Sequence, residues 1–181
     1  MGADLAESER PDFPTSIAGV RLQWGKPMTY AHEYDEGFYA YIDAGSSRSA
    51  AVVIDHLVER LAVNSVPDVG CGHGAWCAAW RRVGISDVIG VDGVDGDYVD
   101  SSVMAIPEKS FIHHDLRKEL NLGRHFDLVM SLKVAEHIPA DYAETFVQNL
   151  VRHGESILFS AAVPGQVGDF HVNEQPHWLL A

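Results

Sequence analysis

Asp68-Val69-Gly70-Cys71-Gly72-His73-Gly74 closes a short apolar run (Val66, Val69) with three alternating glycines, and a helix-like run from Ala75 to Val83 follows at once. A strand that turns into a helix through bare glycines leaves main-chain atoms open to a flat ligand lying across the strand end. The next apolar run, Val88-Ile89-Gly90-Val91, closes on Asp92, twenty residues after Gly72. A carboxylate at that distance is placed to accept the two hydroxyls of a ribose. This half of the chain therefore reads as a site for a nucleoside-bearing cofactor.

Composition sets the frame. The 181 residues are 46% hydrophobic and 22% charged, enough for one globular domain with a sizeable core. Thirteen basic against 26 acidic residues give a formal charge of −13. Such a surface repels phosphate backbones, and Arg81-Arg82 and Arg117-Lys118 are isolated pairs, so nucleic acid is not an expected partner. Cys71 and Cys77 form neither a C-x-x-C pair nor a zinc framework; reduced thiols in a cytoplasmic protein are expected. No apolar stretch approaches the ~20 residues of a membrane span, and no signal pattern opens the chain, so no membrane partner is expected either.

Residues 1–45 form a polar, then aromatic lead-in (Trp24, Tyr30, Tyr34, Phe38, Tyr39, Tyr41), with Tyr34 and Phe38 suited to a lid over a site. From residue 46 to 181 the pattern is that of a cofactor-binding domain. Ala50, Val53, Ile54, Leu57 and Leu61 mark one helical face between Ser46 and Ala62. Strands are expected at Ser65–Val69, Val88–Val91, Phe111–His113, Phe126–Leu132 and Ser156–Ala162, their near-continuous apolar runs fitting parallel strands covered on both faces. The last two flank a helix with Asp141 and Glu144 as a capping box, an apolar stripe from Ala143 to Val151, and Gly154 as its stop. The helix after Asp92 is poorly written, with Gly96 and Asp97 early. The fold class is α/β: a Rossmann-like, doubly wound, mostly parallel sheet with its ligand at the strands' carboxyl ends.

Gly70-x-Gly72-x-x-Ala75 also satisfies a dinucleotide fingerprint, so the glycines alone leave an NAD-dependent reductase open. Three features favour a different cofactor. Asp68 lies where a carboxylate would orient the loop and receive a cationic group, whereas it would repel a pyrophosphate. Asp115 ends the third strand, suited to accept from an adenine amino group. No second nucleotide-binding half exists.

With Asp68-x-Gly70-x-Gly72-x-Gly74, Asp92, Asp115-Leu116 and Ala135-Glu136-His137-Ile138-Pro139 in order, residues 46 to about 178 resemble the class I S-adenosylmethionine-dependent methyltransferases. Ala161-Ala162-Val163-Pro164-Gly165-Gln166 and His171-Val172-Asn173-Glu174-Gln175-Pro176 are similar to a bacterial small-molecule subgroup of that superfamily. The resemblance implies S-adenosyl-L-methionine as cofactor. Gly70, Gly72, Gly74 and Asp68 would line its methionine part, and Asp92 with Gly93 would hold the ribose. Asp115 and the Leu116 backbone would take the adenine edge, and Leu132 would lie near the sulfonium.

Methyl transfer to a hydroxyl or amine calls for a base titrating near neutrality. His137, after the fourth strand, and His171, after the fifth, are the candidates. Asn173, Gln175 and Trp178, with Tyr34, would form the substrate wall. No metal is expected: His113 and His114 point to opposite sides of a strand, so with Asp115 they cannot share an ion.

Three departures stand out. Lys133 occupies a position where the subgroup has an acid. Pro67 cannot donate to a central ladder, so a bulge or unpaired stretch is expected there. The chain stops at Ala181, without the last two strands of the full methyltransferase fold. Strand five is then an open edge, covered by a homodimer unless the chain is a fragment.

The expected function is methyl transfer from S-adenosylmethionine to oxygen or nitrogen of a small metabolite, in specialised metabolism. One alternative is intramolecular cyclisation or elimination within the cofactor's methionine chain, releasing methylthioadenosine. The other is a non-catalytic, cofactor-binding partner subunit.

Overall fold

A computed structural model describes the backbone of residues 16–17, 20–21, 36–93, 104–166, 168 and 170–176, and side chains from residue 45 onward. The chain divides into two compact units, Met1–Glu33 and Tyr34–Ala181. The first contains a two-stranded antiparallel ribbon, β1 (Ser16–Ile17) and β2 (Val20–Arg21).

The second unit runs α1 (Glu36–Val58), β3 (Ser65–Val69), α2 (Ala75–Arg82), β4 (Asp87–Asp92), β5 (Phe111–His113), β6 (Val129–Leu132), α3 (Ala143–Val151) and β7 (Ile157–Ser160). Its five strands are all parallel, in the order β5-β4-β3-β6-β7. The chain leaves the central strand first towards β4 and later towards β6, so the strand order reverses beside β3. In an open α/β sheet, that reversal opens a crevice beyond the carboxyl ends.

Side chains alternate between the two faces, and the core splits accordingly. On one face Val66, Val88 and Met130 pack with Ala50 and Ile54 of α1 and Cys77, Ala79 and Trp80 of α2. On the other, Val69, Val91 and Val129 pack with Phe146 and Leu150 of α3 and with Leu116 and Leu120. Burying one such aliphatic or aromatic side chain contributes about 1.5–3 kcal/mol. The long connection from β5 to β6 is fixed by two buried polar residues. Asn149 Oδ1 accepts from the Leu120 amide at 2.8 Å, and His153 Nε2 accepts from the Leu122 amide at 2.9 Å.

Several elements differ from expectation. α1 begins ten residues before Ser46 and ends at Val58, so Leu61 lies outside it and is exposed. β6 is three residues shorter at its start than expected, and β7 loses both ends. Asp141 does not cap α3. A 3-10 turn at Ala140–Tyr142 precedes the helix, which makes Tyr142 its N-cap with no side-chain bond. Gly154 is a contact residue rather than a helix stop, since a Cβ there would stand 2.9 Å from the Phe126 carbonyl oxygen. No bulge interrupts β3 at Pro67: the β4 ladder passes through Pro67↔Ile89. The ladder to β6, by contrast, is one bridging pair, Asp68↔Met130, and the missing donor is accommodated on that side. The expected segment around Gly96 and Asp97 lies outside the described residues.

Candidate active site

Gly70 and Gly74 bend β3 into α2 with φ +89° and +83°, a backbone that glycine adopts without strain. The amides of Gly70 and Cys71 both donate to the Val91 carbonyl, at 2.7 and 3.2 Å, and this holds the loop against β4. The glycines are not equivalent. A Cβ on Gly70 would stand 2.3 Å from the Val134 side chain, and one on Gly74 would stand 2.9 Å from Ile106. At Gly72 a Cβ would meet nothing within 4 Å. Gly72 thus borders open space, whereas Gly70 and Gly74 are bare where neighbouring side chains close in.

Asp92 ends β4 and its Oδ2 accepts from the Gly72 amide at 2.7 Å, so one carboxylate both fixes the loop and borders the open space beside it. Gly93 follows where the chain passes close to the end of β5: a Cβ there would lie 3.0 Å from the His114 carbonyl oxygen. Asp115 sits just beyond β5 and is gripped by Arg117, whose Nε and Nη2 donate to its two oxygens at 2.8 and 2.9 Å. The guanidinium holds the Asp115 carboxyl well below the usual carboxylate range. The Leu116 side chain belongs to the second core cluster. Leu132 is half-buried at the end of β6, against the first core cluster.

Asp68 is 2% exposed. Burial pushes its carboxyl up to about 7; the Cys77 thiol, 3.6 Å from Oδ2, opposes the shift and nearby Asp92 adds to it. Cys71 and Cys77 are free and buried, and their thiols are raised too, Cys71 by its bond with Cys77 and by burial, Cys77 by burial against that bond.

The two histidines meet. His137 closes a 3-10 turn, Ala135–His137, beyond β6, and His171 lies in the extended stretch after β7. Their ring centroids are 5.2 Å apart, edge to face. Nδ1 of His137 faces the Phe170 carbonyl at 3.3 Å, and Nδ1 of His171 faces Glu174 Oε1 at 2.7 Å. Carbonyl and carboxylate oxygens only accept, so both Nδ1 atoms carry the proton and each neutral ring keeps its lone pair on Nε2. Burial lowers the pKa of His137. The bond from His171 lowers that of Glu174. Glu174 Oε2 also accepts from the Gly165 amide at 2.9 Å. The His171 ring rests on Gly168, where a Cβ would stand 2.2 Å from Nε2.

Glu136, absent from the expected site, is buried beside them. Its carbonyl accepts from the amides of Val172 and Asn173 at 2.9 and 3.1 Å, which docks the post-β7 stretch onto the post-β6 turn. Asn173 Oδ1 accepts from Gln175 Nε2 at 2.6 Å, so these two bind each other beside the histidines. Tyr34 and Trp178 lie outside the described residues. An acid next to a histidine after an apolar strand was the available signal for Glu136, but what packs on it is the stretch at Val172–Asn173, far along the chain.

The histidine turn abuts the glycine loop through Val134, which fills the space over Gly70 and whose carbonyl accepts from the His137 amide at 2.9 Å. Among the described residues, no helix is long and apolar enough to cross a membrane.

Residues 46–160 match a family described as a methyltransferase domain. The chain is 33% identical over 98 residues to a mitochondrial ubiquinone biosynthesis O-methyltransferase of Arabidopsis thaliana, covering 50% of this chain and 30% of that one. It is 34% identical over 77 residues to a ubiquinone biosynthesis O-methyltransferase of Bradyrhizobium diazoefficiens, covering 40% and 29%. The matched stretch thus spans under a third of these relatives' length. Among solved structures, DesVI of Streptomyces venezuelae superposes with a TM-score of 0.57 at 20% identity over 76% of this chain and 62% of that one. The sugar N-methyltransferase KedS8 of Streptoalloteichus gives 0.55 at 19% identity, over 82% and 63%. At these identities the likeness is one of fold. The parallel order with β3 at the centre, the glycine bend and the match over residues 46–160 agree: the chain belongs to the class I methyltransferase-domain family, whose cofactor is S-adenosylmethionine.

Proposed function

We propose that the chain transfers the methyl group of S-adenosylmethionine to an oxygen or nitrogen of a small molecule. The observation that supports this reading is the contact of Val134 with Gly70, since the turn that carries His137, and with it His171, starts at Val134. The residues present fit the cofactor. Gly72 faces open space, Asp92 stands at its edge for the ribose, and Asp115 lies at the end of the neighbouring strand for the adenine side. Asp68, with its carboxyl near 7, lies under the loop where a positive sulfonium or ammonium would favour its ionised form.

When bound, the cofactor supplies an activated methyl on a sulfonium, so the protein's work is to orient the acceptor in line, exclude water and take its proton. We assign that proton to His171 Nε2. Glu174 at Nδ1 stabilises the imidazolium that forms, whereas the burial that lowers the His137 pKa disfavours a charged ring there. His137 packs edge-on against His171 and limits its rotation.

Incubating the protein with S-adenosylmethionine and a panel of small hydroxyl and amine acceptors tests this. Acceptor-dependent adenosylhomocysteine is expected. Methylthioadenosine formed without any acceptor would replace the reading with intramolecular alkyl transfer, and tight cofactor binding with no turnover would replace it with a binding subunit.

A further inference from the structure

A carboxylate taken out of water needs a compensating cation, and Glu136 is surrounded by groups that could hold either of two kinds. Its side chain is 0% exposed. The Lys133 ammonium lies 2.7 Å from Oε1 but off the line of a hydrogen bond, and among the described residues no aligned donor reaches either carboxylate oxygen. Donor atoms of Glu136, His137 and His171 all lie within 4.8 Å of one another, in the only such trio found among the described residues. Both histidines have Nδ1 tied to an oxygen, His137 to the Phe170 carbonyl and His171 to Glu174. That bond is what fixes a metal-binding imidazole with its other nitrogen unprotonated. One carboxylate and two imidazoles are also a three-ligand set suited to Zn2+.

Lys133 enters this cluster in an unusual way. Its φ of +61° is one that non-glycine residues seldom adopt, and its amide is held by the Ser160 carbonyl at 2.8 Å. The left-handed turn at the end of β6 and the ion pair with Glu136 occur at the same residue.

We propose that the Glu136–His137–His171 cluster is a cation site whose occupant is the tethered ammonium of Lys133, and that removing this ammonium converts the cluster into a Zn2+ site. A dication and an ammonium sharing one carboxylate repel strongly at such separations, so the resident lysine keeps divalent ions out. The proposal concerns binding and does not depend on the methyl-transfer reading.

The test is a Zn2+ titration of the full chain against a chromogenic chelator, for the wild type, Lys133→Ala and Lys133→Ala/His171→Ala. Lys133→Ala is expected to bind one Zn2+ per chain about tenfold or more tighter than the wild type, and the double variant is expected to lose that gain. Lys133→Gly, which accepts φ +61° without strain, repeats the measurement should the alanine variant fold poorly. Its Tm is expected to rise with Zn2+ more than that of the wild type. Equal Zn2+ affinity in the wild type and both single variants would overturn the proposal, as would a gain that survives loss of His171. Turnover is not read, so failure here leaves the methyl-transfer reading to its own assay.

Discussion

The Gly72 amide donates to Asp92 across 2.7 Å, tying the open point of the glycine loop to the last residue of the neighbouring strand. A ribose held by Asp92 would therefore sit on a carboxylate already aligned by the loop. Asp92→Asn keeps the shape and loses the charge, whereas Asp92→Ala also frees the loop. Charge-assisted hydrogen bonds contribute about 1.5–3 kcal/mol each. Asp92→Ala is expected to weaken S-adenosylmethionine binding by roughly ten- to a hundredfold, with Asp92→Asn in between, measured by calorimetry. Unchanged affinity in both variants would remove Asp92 from the site.

Gly70→Ala and Gly72→Ala are expected to fail differently. At Gly70 the new methyl meets Val134 at 2.3 Å, so the fold is strained and the Tm falls by several degrees. At Gly72 it meets open space, leaving a left-handed backbone cost of about 1–2 kcal/mol. Its larger effect should be on cofactor affinity. Equal losses of Tm and affinity in the two variants would contradict this division of roles.

Asp68 gives the protein a pH signature. An acid whose folded-state pKa is raised binds more protons when folded than when unfolded. This group's contribution is therefore greatest below the unfolded value of 3.8 and declines as pH rises to about 7. Across that window the decline is on the order of 4 kcal/mol. Asp68→Asn removes the charge and is expected to stabilise the cofactor-free protein at pH 8. It should also flatten this part of the stability profile, followed by urea unfolding at several pH values. A profile of the same slope in the variant would show that Asp68 does not titrate in this range.

His171→Ala is expected to reduce turnover by about 10²–10⁴-fold at unchanged cofactor affinity, the usual loss on removing a general base. His137→Ala should cost less, because its ring supports the base without receiving the proton. Glu174→Gln should also slow turnover, since the imidazolium loses its counter-charge. Full rates in both histidine variants would move the proton transfer elsewhere or out of the limiting step.

The strands around the glycine bend were legible because their signals are local: Ser65–Val69 and Phe111–His113 occur as written, and α2 differs only by its final residue. Helix boundaries were harder to place. α1 extends into residues whose aromatic content suggested a lead-in, and a 3-10 turn took the capping position expected at Asp141. The candidate site could be read from the sequence as separate residues but not as an assembly. His137 and His171 were singled out separately, and only the return of the chain after β7 brings them to 5.2 Å. Glu136 and the turn at Lys133 were missed for the same reason, since burial and φ arise from packing across strands. At Pro67 the alternative of an unpaired stretch is the one that occurs, on the β6 flank alone, because the imide nitrogen faces that side while the β4 ladder runs on without a bulge.

The seam between β3 and β6 has a mechanical meaning. Its ladder is the single pair Asp68↔Met130, and the split is bridged before it by the Leu128 amide on the Ser65 carbonyl at 3.3 Å and after it by the Ser131 hydroxyl on the Val69 carbonyl at 2.7 Å. The glycine loop hangs from one lip of that split and the histidine turn from the other. Any widening of the seam would therefore change the gap between the glycine loop and the histidine turn.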